Sequence, residues 1–179
     1  TGAQGEGKSE LVAELTRRLR EAGLSLGGIH APGFWTDGRR SGFDLVDLGS
    51  GERRPLCRTE GPESWPSQGP FRFAPEGLAF GLRALAEAGS RDADVVFVDE
   101  VGPLELRGGG WAAALDVLAR KRRKPMVWVV REGIIDEVRR HWALAEDEVW
   151  DAGAKDASAA AAGLSAALRA ELAPGRAVR

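Results

Sequence analysis

Residues 1–9 read Thr-Gly-Ala-Gln-Gly-Glu-Gly-Lys-Ser, which fills every fixed position of the phosphate-binding pattern G-x-x-x-x-G-K-[ST]. A loop of this kind surrounds a polyphosphate with inward-pointing backbone N–H groups, and its glycines leave no Cβ in the way. Lys8 is expected to reach the β and γ phosphate oxygens, and the Ser9 hydroxyl is expected to ligate Mg²⁺. The pattern therefore predicts a nucleotide-binding loop made of Gly2, Ala3, Gln4, Gly5, Glu6, Gly7, Lys8 and Ser9.

A phosphate loop joins a buried strand to a helix, so it also predicts what flanks it. The helix is expected over 8–22, where Leu11, Leu15 and Leu19 recur at helical spacing. No strand precedes the loop here, because the sequence begins at Thr1. A sheet without that strand would lose pairing on both sides, and we therefore expect a short apolar strand upstream of Thr1 in the parent chain.

The rest of the chain alternates strand and helix patterns. Strands are predicted at 24–30, 71–73, 93–98, 126–130 and near Val149, and helices at 75–89, 111–123, 133–142 and 156–172. Asp-Gly and Gly-Ser-Gly turns between β-rich runs predict a small antiparallel β-meander inserted at about 33–58. Together these patterns predict one α/β domain over residues 1–179, with a mainly parallel sheet flanked by helices.

A pair of acids ends the strand predicted at 93–98. Four apolar residues, 95–98, are followed directly by Asp99 and Glu100. Open α/β sheets bind ligands at the carboxyl ends of their strands, which is where these acids are expected to lie. Asp99 is predicted to hold Mg²⁺, usually through water, opposite Ser9. Glu100 is predicted to orient or deprotonate an attacking water, while Lys8 stabilises charge on the transferring phosphoryl group.

Four segments together resemble the THEP1-type nucleoside-triphosphatases, small P-loop NTPases of RecA-like form. They are the phosphate loop at 2–9, Gly-Phe-Trp-Thr at 33–36, Arg-Ser-Gly-Phe-Asp at 40–44 and Asp-Glu-Val-Gly-Pro-Leu-Glu-Leu at 99–106. The resemblance runs in order from Thr1 to about Trp142. It implies Mg²⁺-dependent hydrolysis of nucleoside triphosphates to diphosphate and phosphate, with broad base selectivity and slow turnover. Family members commonly carry an Asn-Arg-Asp-like segment beside the base. The nearest match here is Ala154-Lys155-Asp156, so no base contact is predicted from it.

Several residues outside these motifs have two interpretations each. Arg39 and Arg40 are either solvated turn residues or an arginine finger that neutralises transition-state charge. Arg40 is the catalytic candidate, because it lies in the family-like segment. Glu105 either holds a neighbouring loop or is a surface acid. Arg131 is either a phosphate sensor or a member of a structural ion pair, and Trp35 either stacks on a base or packs in the core or the cleft wall.

Composition narrows the classes of partner. A net charge of −2 gives no general attraction to nucleic acid or to an anionic membrane. The basic run at 120–124 has no interleaved aromatic residues, so a nucleic-acid partner is not expected. No apolar run approaches the roughly 20 residues that span a bilayer.

Cys57 is the single cysteine, which is typical of a reducing compartment and predicts a cytoplasmic protein. His30 and His141 lack metal-ligand spacing, which predicts structural roles.

Two functions other than hydrolysis also fit the motifs. A nucleotide or small-molecule kinase needs an acceptor site and a mobile lid, and the segment 59–74, rich in Pro, Gly and Ser, is the candidate lid. A nucleotide-dependent switch that binds a protein partner would hold the nucleotide tightly with little turnover. An acid directly after Asp99 favours water as the acceptor, so hydrolysis of nucleoside triphosphates is the predicted function.

Overall fold

A computed structural model describes residues 1–2, 7–90, 93–121, 124–144, 148–153 and 156–173. Within these ranges the helices are α1 (Lys8–Glu21), α2 (Pro75–Ser90), α3 (Pro103–Leu106), α4 (Ala112–Lys121), α5 (Ile135–His141) and α6 (Ala157–Leu172). The strands are β1 (Leu26–His30), β2 (Gly33–Thr36), β3 (Arg39–Asp47), β4 (Arg53–Arg58), β5 (Ser67–Gln68), β6 (Phe71–Phe73), β7 (Val95–Val101) and β8 (Met126–Val130). None of the helices in these ranges has both the length and the apolar character that crossing a membrane requires.

The strands belong to one sheet with the order β5-β6-β4-β3-β1-β7-β8, and β2 pairs with β3. β1, β7 and β8 are mutually parallel neighbours, whereas β2 to β6 pair in antiparallel fashion. β3 also joins β1 in antiparallel pairing, with Asp47 opposite Ile29. The α/β class agrees with the prediction, but the sheet is mixed rather than mainly parallel. The reason is that the meander extends the main sheet along the edge of β1.

Helices cover both faces of the parallel part of the sheet. Successive residues of β7 point to opposite sides. Val95 and Phe97 pack with α1 and α6, and Val96 and Val98 pack with α2 and α4. Each of these four residues is at most 2% exposed. Burial on both faces explains the continuous apolar run that leads up to the acid pair.

Gly28 lets β1 and β7 approach closely. Its φ is +88°, and a Cβ at this position would lie 2.0 Å from the carbonyl oxygen of Phe97. No side chain fits in that space, and the backbone conformation itself favours glycine. The close approach brings the carboxyl ends of β1 and β7 together, and the acid pair lies at that end of β7.

Several smaller predictions differ from the structure. Residues 148–150 form no strand, so the strand predicted near Val149 is wrong, and Val149 is 48% exposed. α3 was not expected, and a 3-10 turn over Glu132–Ile134 precedes α5. Within the segment 59–74, β6 agrees with the short strand predicted at 71–73, whereas β5 was not expected. Short elements of this kind are set by packing and turn geometry more than by periodicity.

The first residues lie at the outer edge of β8. Gly2 forms an isolated parallel bridge with Arg131, just beyond the end of β8. The Thr1 amino group donates to the carbonyl oxygen of Trp150 at 2.7 Å, and the N–H of Ala152 donates to the carbonyl oxygen of Thr1 at 2.8 Å. The strand expected upstream of Thr1 and the single-domain organisation stay predictions.

Candidate active site

The structure describes the two ends of the phosphate loop, Gly2 on one side and Gly7, Lys8 and Ser9 on the other. Gly7 adopts a left-handed φ of 76° directly before α1. Lys8 Nζ donates to the carbonyl oxygen of Gly2 at 2.7 Å, so the ammonium group links the two ends of the loop. Ser9 is the second residue of α1 and is half-buried. Four predicted phosphate-binding residues lie outside the described residues, namely Ala3, Gln4, Gly5 and Glu6.

The carboxylate of Asp99 is buried in β7 and fixed by three nitrogen atoms. Asp99 is 3% exposed. Its Oδ2 accepts the backbone N–H of Ala31 at 2.8 Å and lies 2.7 Å from Nδ1 of His30. Its Oδ1 accepts the backbone N–H of Glu100 at 2.9 Å. These charge-assisted hydrogen bonds offset the cost of burying an ionised carboxylate.

Glu100 combines an unusual backbone with a perturbed carboxyl. Its φ is +62°, a left-handed value that residues with a Cβ rarely adopt. Burial, followed by the neighbouring charge of Asp99, raises the pKa of the Glu100 carboxyl from 4.5 to about 7. The positive charges of Lys8, Arg131 and Arg40 act in the opposite direction. The Glu100 carboxyl therefore lies within electrostatic reach of Asp99 and of three positive side chains, Lys8, Arg131 and Arg40.

Aromatic rings on the β2–β3 hairpin hold Arg40. Its guanidinium carbon lies 4.9 Å from the ring centroid of Trp35 and 5.4 Å from that of Phe43, which are cation–π distances. The Nε of Arg40 is buried and has no hydrogen-bond partner within the described part of the chain. Arg39 is exposed. The interpretation as a solvated turn residue therefore fits Arg39 and not Arg40. The side chain of Trp35 is 56% exposed, so it packs against Arg40 and does not fill the core.

Glu105 has a structural role in the loop after β7. It is 4% exposed, and its carboxylate oxygens accept the N–H of Gly102 at 2.8 Å and the N–H of Trp111 at 3.3 Å. Burial raises the pKa of this carboxyl. The interpretation of Glu105 as a surface acid is therefore wrong. Arg131 is exposed just beyond β8, at the same edge of the sheet as Glu100.

Two other segments singled out in the sequence have structural explanations. Asp44, which ends the Arg-Ser-Gly-Phe-Asp segment, forms an ion pair with Arg58 across the β3–β4 pairing. Asp156 caps α6 by accepting the N–H of Ala159 at 2.8 Å. Lys155 lies outside the described residues.

His30 is the residue of this site that sequence reasoning missed. Parallel pairing sets Ile29 opposite Val98, so the next residues along the two strands, His30 and Asp99, meet at the carboxyl edge. The contact joins residues 69 positions apart, and no spacing within the sequence indicates it. The one available signal was a polar residue at the end of a short apolar strand.

The oxygen donors at this edge suit a hard divalent cation. Ser9 offers a hydroxyl, and Asp99 and Glu100 offer carboxylates. Mg²⁺ prefers oxygen ligands and is usually held by one or two carboxylates together with the phosphates of its substrate. Among the residues that the structure describes, no three His, Cys, Asp or Glu side chains are arranged to hold a metal by themselves. The hydroxyl of Ser9 and the carboxylate of Asp99 are oxygen donors of the kind that Mg²⁺ prefers.

Three features define the class of this protein. A phosphate loop precedes a helix, an acid pair lies in a buried parallel strand, and helices cover both faces of the sheet. Together they are typical of a P-loop α/β nucleotide-binding protein. Known proteins agree with this class. The family described as NTPase matches residues 1–147. Nucleoside-triphosphatase THEP1 of Methanopyrus kandleri is 35% identical over 163 residues, which cover 84% of this chain and 89% of that protein. The THEP1 protein of Ignicoccus hospitalis is 39% identical over 109 residues, which cover 60% of this chain and 59% of that protein. The chain belongs to the THEP1-type NTPase family.

Solved structures share the fold. The solution structure of a human cancer-related nucleoside triphosphatase has a TM-score of 0.71 at 22% identity and covers 94% of this chain and 95% of that chain. The crystal structure of THEP1 from the hyperthermophile Aquifex aeolicus has a TM-score of 0.55 at 19% identity, with 78% and 81% covered. The predicted family, the α/β P-loop fold class and the assignment to the nucleoside-triphosphatase enzymes are confirmed.

Proposed function

We propose that this chain hydrolyses nucleoside triphosphates, ATP and GTP among them, to nucleoside diphosphate and phosphate with Mg²⁺ as cofactor. Membership of the NTPase family supports the class of reaction. The observation that carries the residue-level proposal is the Glu100 carboxyl. It lies beside the buried Asp99 and within reach of the charge of Lys8.

Glu100 acts as the general base. A pKa of about 7 leaves roughly half of these carboxyls ionised at neutral pH, which is the range in which a base works best. The ionised carboxylate takes a proton from a water whose oxygen attacks the γ phosphorus. The bond between this phosphorus and the β–γ bridging oxygen breaks, and the diphosphate leaves with that oxygen. The proton then passes from Glu100 to solvent.

Positive groups stabilise the charge on the transferring phosphoryl group. Lys8 exchanges its hydrogen bond to Gly2 for the β and γ phosphate oxygens when a nucleotide binds. Arg40 adds a positive charge near Glu100, and its ring contacts keep the guanidinium in place. Ser9 and Asp99 would hold Mg²⁺, which when bound neutralises the phosphate oxygens.

The phosphate loop supplies the rest of the binding site. Backbone N–H groups of residues 2–8 contact the phosphates, and the N-terminal end of α1 adds its positive dipole. Nucleoside triphosphates are thus the proposed ligands, and neither nucleic acid nor a membrane is a proposed partner. The cytoplasm stays the proposed compartment, on the basis of the single Cys57.

The segment 59–74 favours water over a second substrate as the acceptor. β5 and β6 form a hairpin that pairs with β4. Arg72 Nη1 also donates to the carbonyl oxygen of Gly61 at 2.7 Å. A kinase lid must open and close over its substrates. Because the candidate lid is part of the sheet, hydrolysis is a better fit than phosphoryl transfer to a small molecule.

Phosphate release from ATP, GTP, CTP and UTP with Mg²⁺ and without an added acceptor tests the proposal. We expect release by the wild type and a loss of about 10²- to 10⁴-fold in Glu100→Gln and Lys8→Ala. Glu137→Gln, which changes an exposed acid on α5, is the matched control and should keep the wild-type rate. The wild-type rate should also fall as the pH is lowered through about 7, since Glu100 then becomes protonated.

Two results would contradict the proposal in different ways. Phosphate release by Glu100→Gln at the wild-type rate would show that Glu100 is not the base, but the chain would still be a hydrolase. Nucleotide binding without release by the wild type would refute the hydrolase. A screen of acceptor molecules and of nucleotide-dependent protein binding would then separate the kinase from the switch.

A further inference from the structure

The side chain of Asp99 is in direct contact with that of His30. The two side chains are 5% and 10% exposed, and His30 Nδ1 lies 2.7 Å from Asp99 Oδ2. Because an ionised carboxylate can only accept hydrogen bonds, the Nδ1 atom must carry the proton of this bond. His30 thus donates a buried hydrogen bond to Asp99, the residue that we propose holds Mg²⁺.

The hydrogen bonds of Asp99 leave a defined part of the carboxylate free. Each carboxylate oxygen accepts about two hydrogen bonds. Among the residues that the structure describes, Oδ2 accepts hydrogen bonds from His30 Nδ1 and from the N–H of Ala31, whereas Oδ1 accepts only the N–H of Glu100. The remaining acceptor position therefore lies on Oδ1, and the two donors on Oδ2 prevent the carboxylate from rotating.

We propose that His30 is a positioning residue that orients Asp99 toward the Mg²⁺ of the bound nucleotide. The inference rests on the proposed function, since it assumes that Asp99 holds this cation through the free position of Oδ1. Hydrogen-bond partners behind a metal-holding side chain commonly change metal affinity by 10- to 100-fold when they are removed. The Ala31 N–H stays on Oδ2 when His30 is replaced, so the carboxylate keeps one donor there and loses mainly its orientation.

A purely structural histidine would behave differently. Its removal would lower the stability of the fold and weaken nucleotide binding to the same extent with and without metal. A positioning residue changes the part of the affinity that Mg²⁺ contributes. The quantity to measure is therefore the ratio of the dissociation constant in EDTA to that in Mg²⁺, called here the metal enhancement.

Isothermal titration calorimetry with the β,γ-imido analogue of ATP gives this ratio without turnover. We expect His30→Leu to lower the metal enhancement by about tenfold or more, with little change in the dissociation constant in EDTA. His30→Asn should restore most of the enhancement, because its side-chain amide can donate from nearly the position of Nδ1. His141→Leu, which replaces an exposed histidine on α5, should leave the ratio at the wild-type value.

The outcomes separate this inference from the proposed function. A wild-type metal enhancement in His30→Leu would overturn the positioning role and leave the hydrolase proposal standing. Equal weakening of binding in EDTA and in Mg²⁺, together with a lower Tm for both His30 variants, would show a structural role and also overturn it. A wild type without metal enhancement would refute the Mg²⁺ site itself, and the inference with it.

Discussion

Replacement of Glu100 by glutamine should make the folded protein more stable at pH 8 while it removes the proposed general base. Burial and the charge of Asp99 raise the pKa of this carboxyl from 4.5 to about 7. Between these two pH values the folded state keeps a proton that the unfolded state has released. The free energy of unfolding therefore falls as the pH rises through this window, and it stays low above it. Glutamine has nearly the same shape and does not ionise, so it avoids this loss.

The size of the effect follows from the same values. A pKa change from 4.5 to about 7 corresponds to about 3 kcal/mol, at about 1.4 kcal/mol for each pH unit. The carboxyl is half-buried, so screening by solvent reduces this value. We expect Glu100→Gln to gain about 1–2 kcal/mol at pH 8 and only a fraction of that at pH 5. The left-handed backbone at this position strains both side chains equally and cancels in the comparison.

Urea denaturation followed by tryptophan fluorescence measures the difference directly. Wild type and variant are compared at pH 5 and pH 8 without nucleotide, so that other titrating groups cancel. Glu137→Gln on the exposed face of α5 is the control and should show no pH-dependent difference. A Glu100→Gln variant that is equally stable or less stable than the wild type at pH 8 would refute the reasoning, since Glu100 would then be ionised without cost.

Three further predictions concern the fold. Gly28→Ala should lose about 3 kcal/mol or more of unfolding free energy in urea, because its Cβ would lie 2.0 Å from a carbonyl oxygen. Gly51→Ala has a similar φ of +77° but open space around it, so it should lose only about 1 kcal/mol, and equal losses would contradict the close-approach argument. Glu105→Ala leaves two backbone N–H groups without their acceptor and should cost about 1–3 kcal/mol in thermal unfolding; an unchanged Tm would refute its structural role. Burial raises the pKa of the Cys57 thiol to about 11, so its alkylation at pH 8 should be at least about tenfold slower in the folded protein than in urea, and equal rates would contradict its burial.

Features encoded by consecutive residues were predictable from the sequence. The phosphate loop that ends at Ser9 and the acid pair at Asp99 and Glu100 are each specified by a few adjacent residues with fixed chemical requirements. The α/β class likewise follows from local periodicity, because buried parallel strands are apolar on both faces. The roles assigned to the phosphate-loop residues, to Asp99 and to Glu100 stay predictions.

Contacts between distant strands were not predictable. The bond between His30 and Asp99 depends on the register of β1 against β7, which packing sets. The turn signals at 33–58 specify antiparallel strands but do not say which edge of the sheet they extend, and the sheet is therefore mixed. Val149 is apolar but has no strand partner in the structure, which is why a local pattern led to the wrong element there.

The distance along the chain between His30 and Asp99 also bears on the order in which the protein folds. β3 and β4 pair across a tight turn, whereas β1 and β7 must close a loop of about 70 residues. Non-local pairings of this kind form slowly, because the entropy of loop closure is lost before the contacts compensate for it. We therefore expect the hairpins to form first and the acid pair to gain its partners late. A partly folded chain would then lack the oriented carboxylate, and metal-dependent nucleotide binding would report that folding is complete.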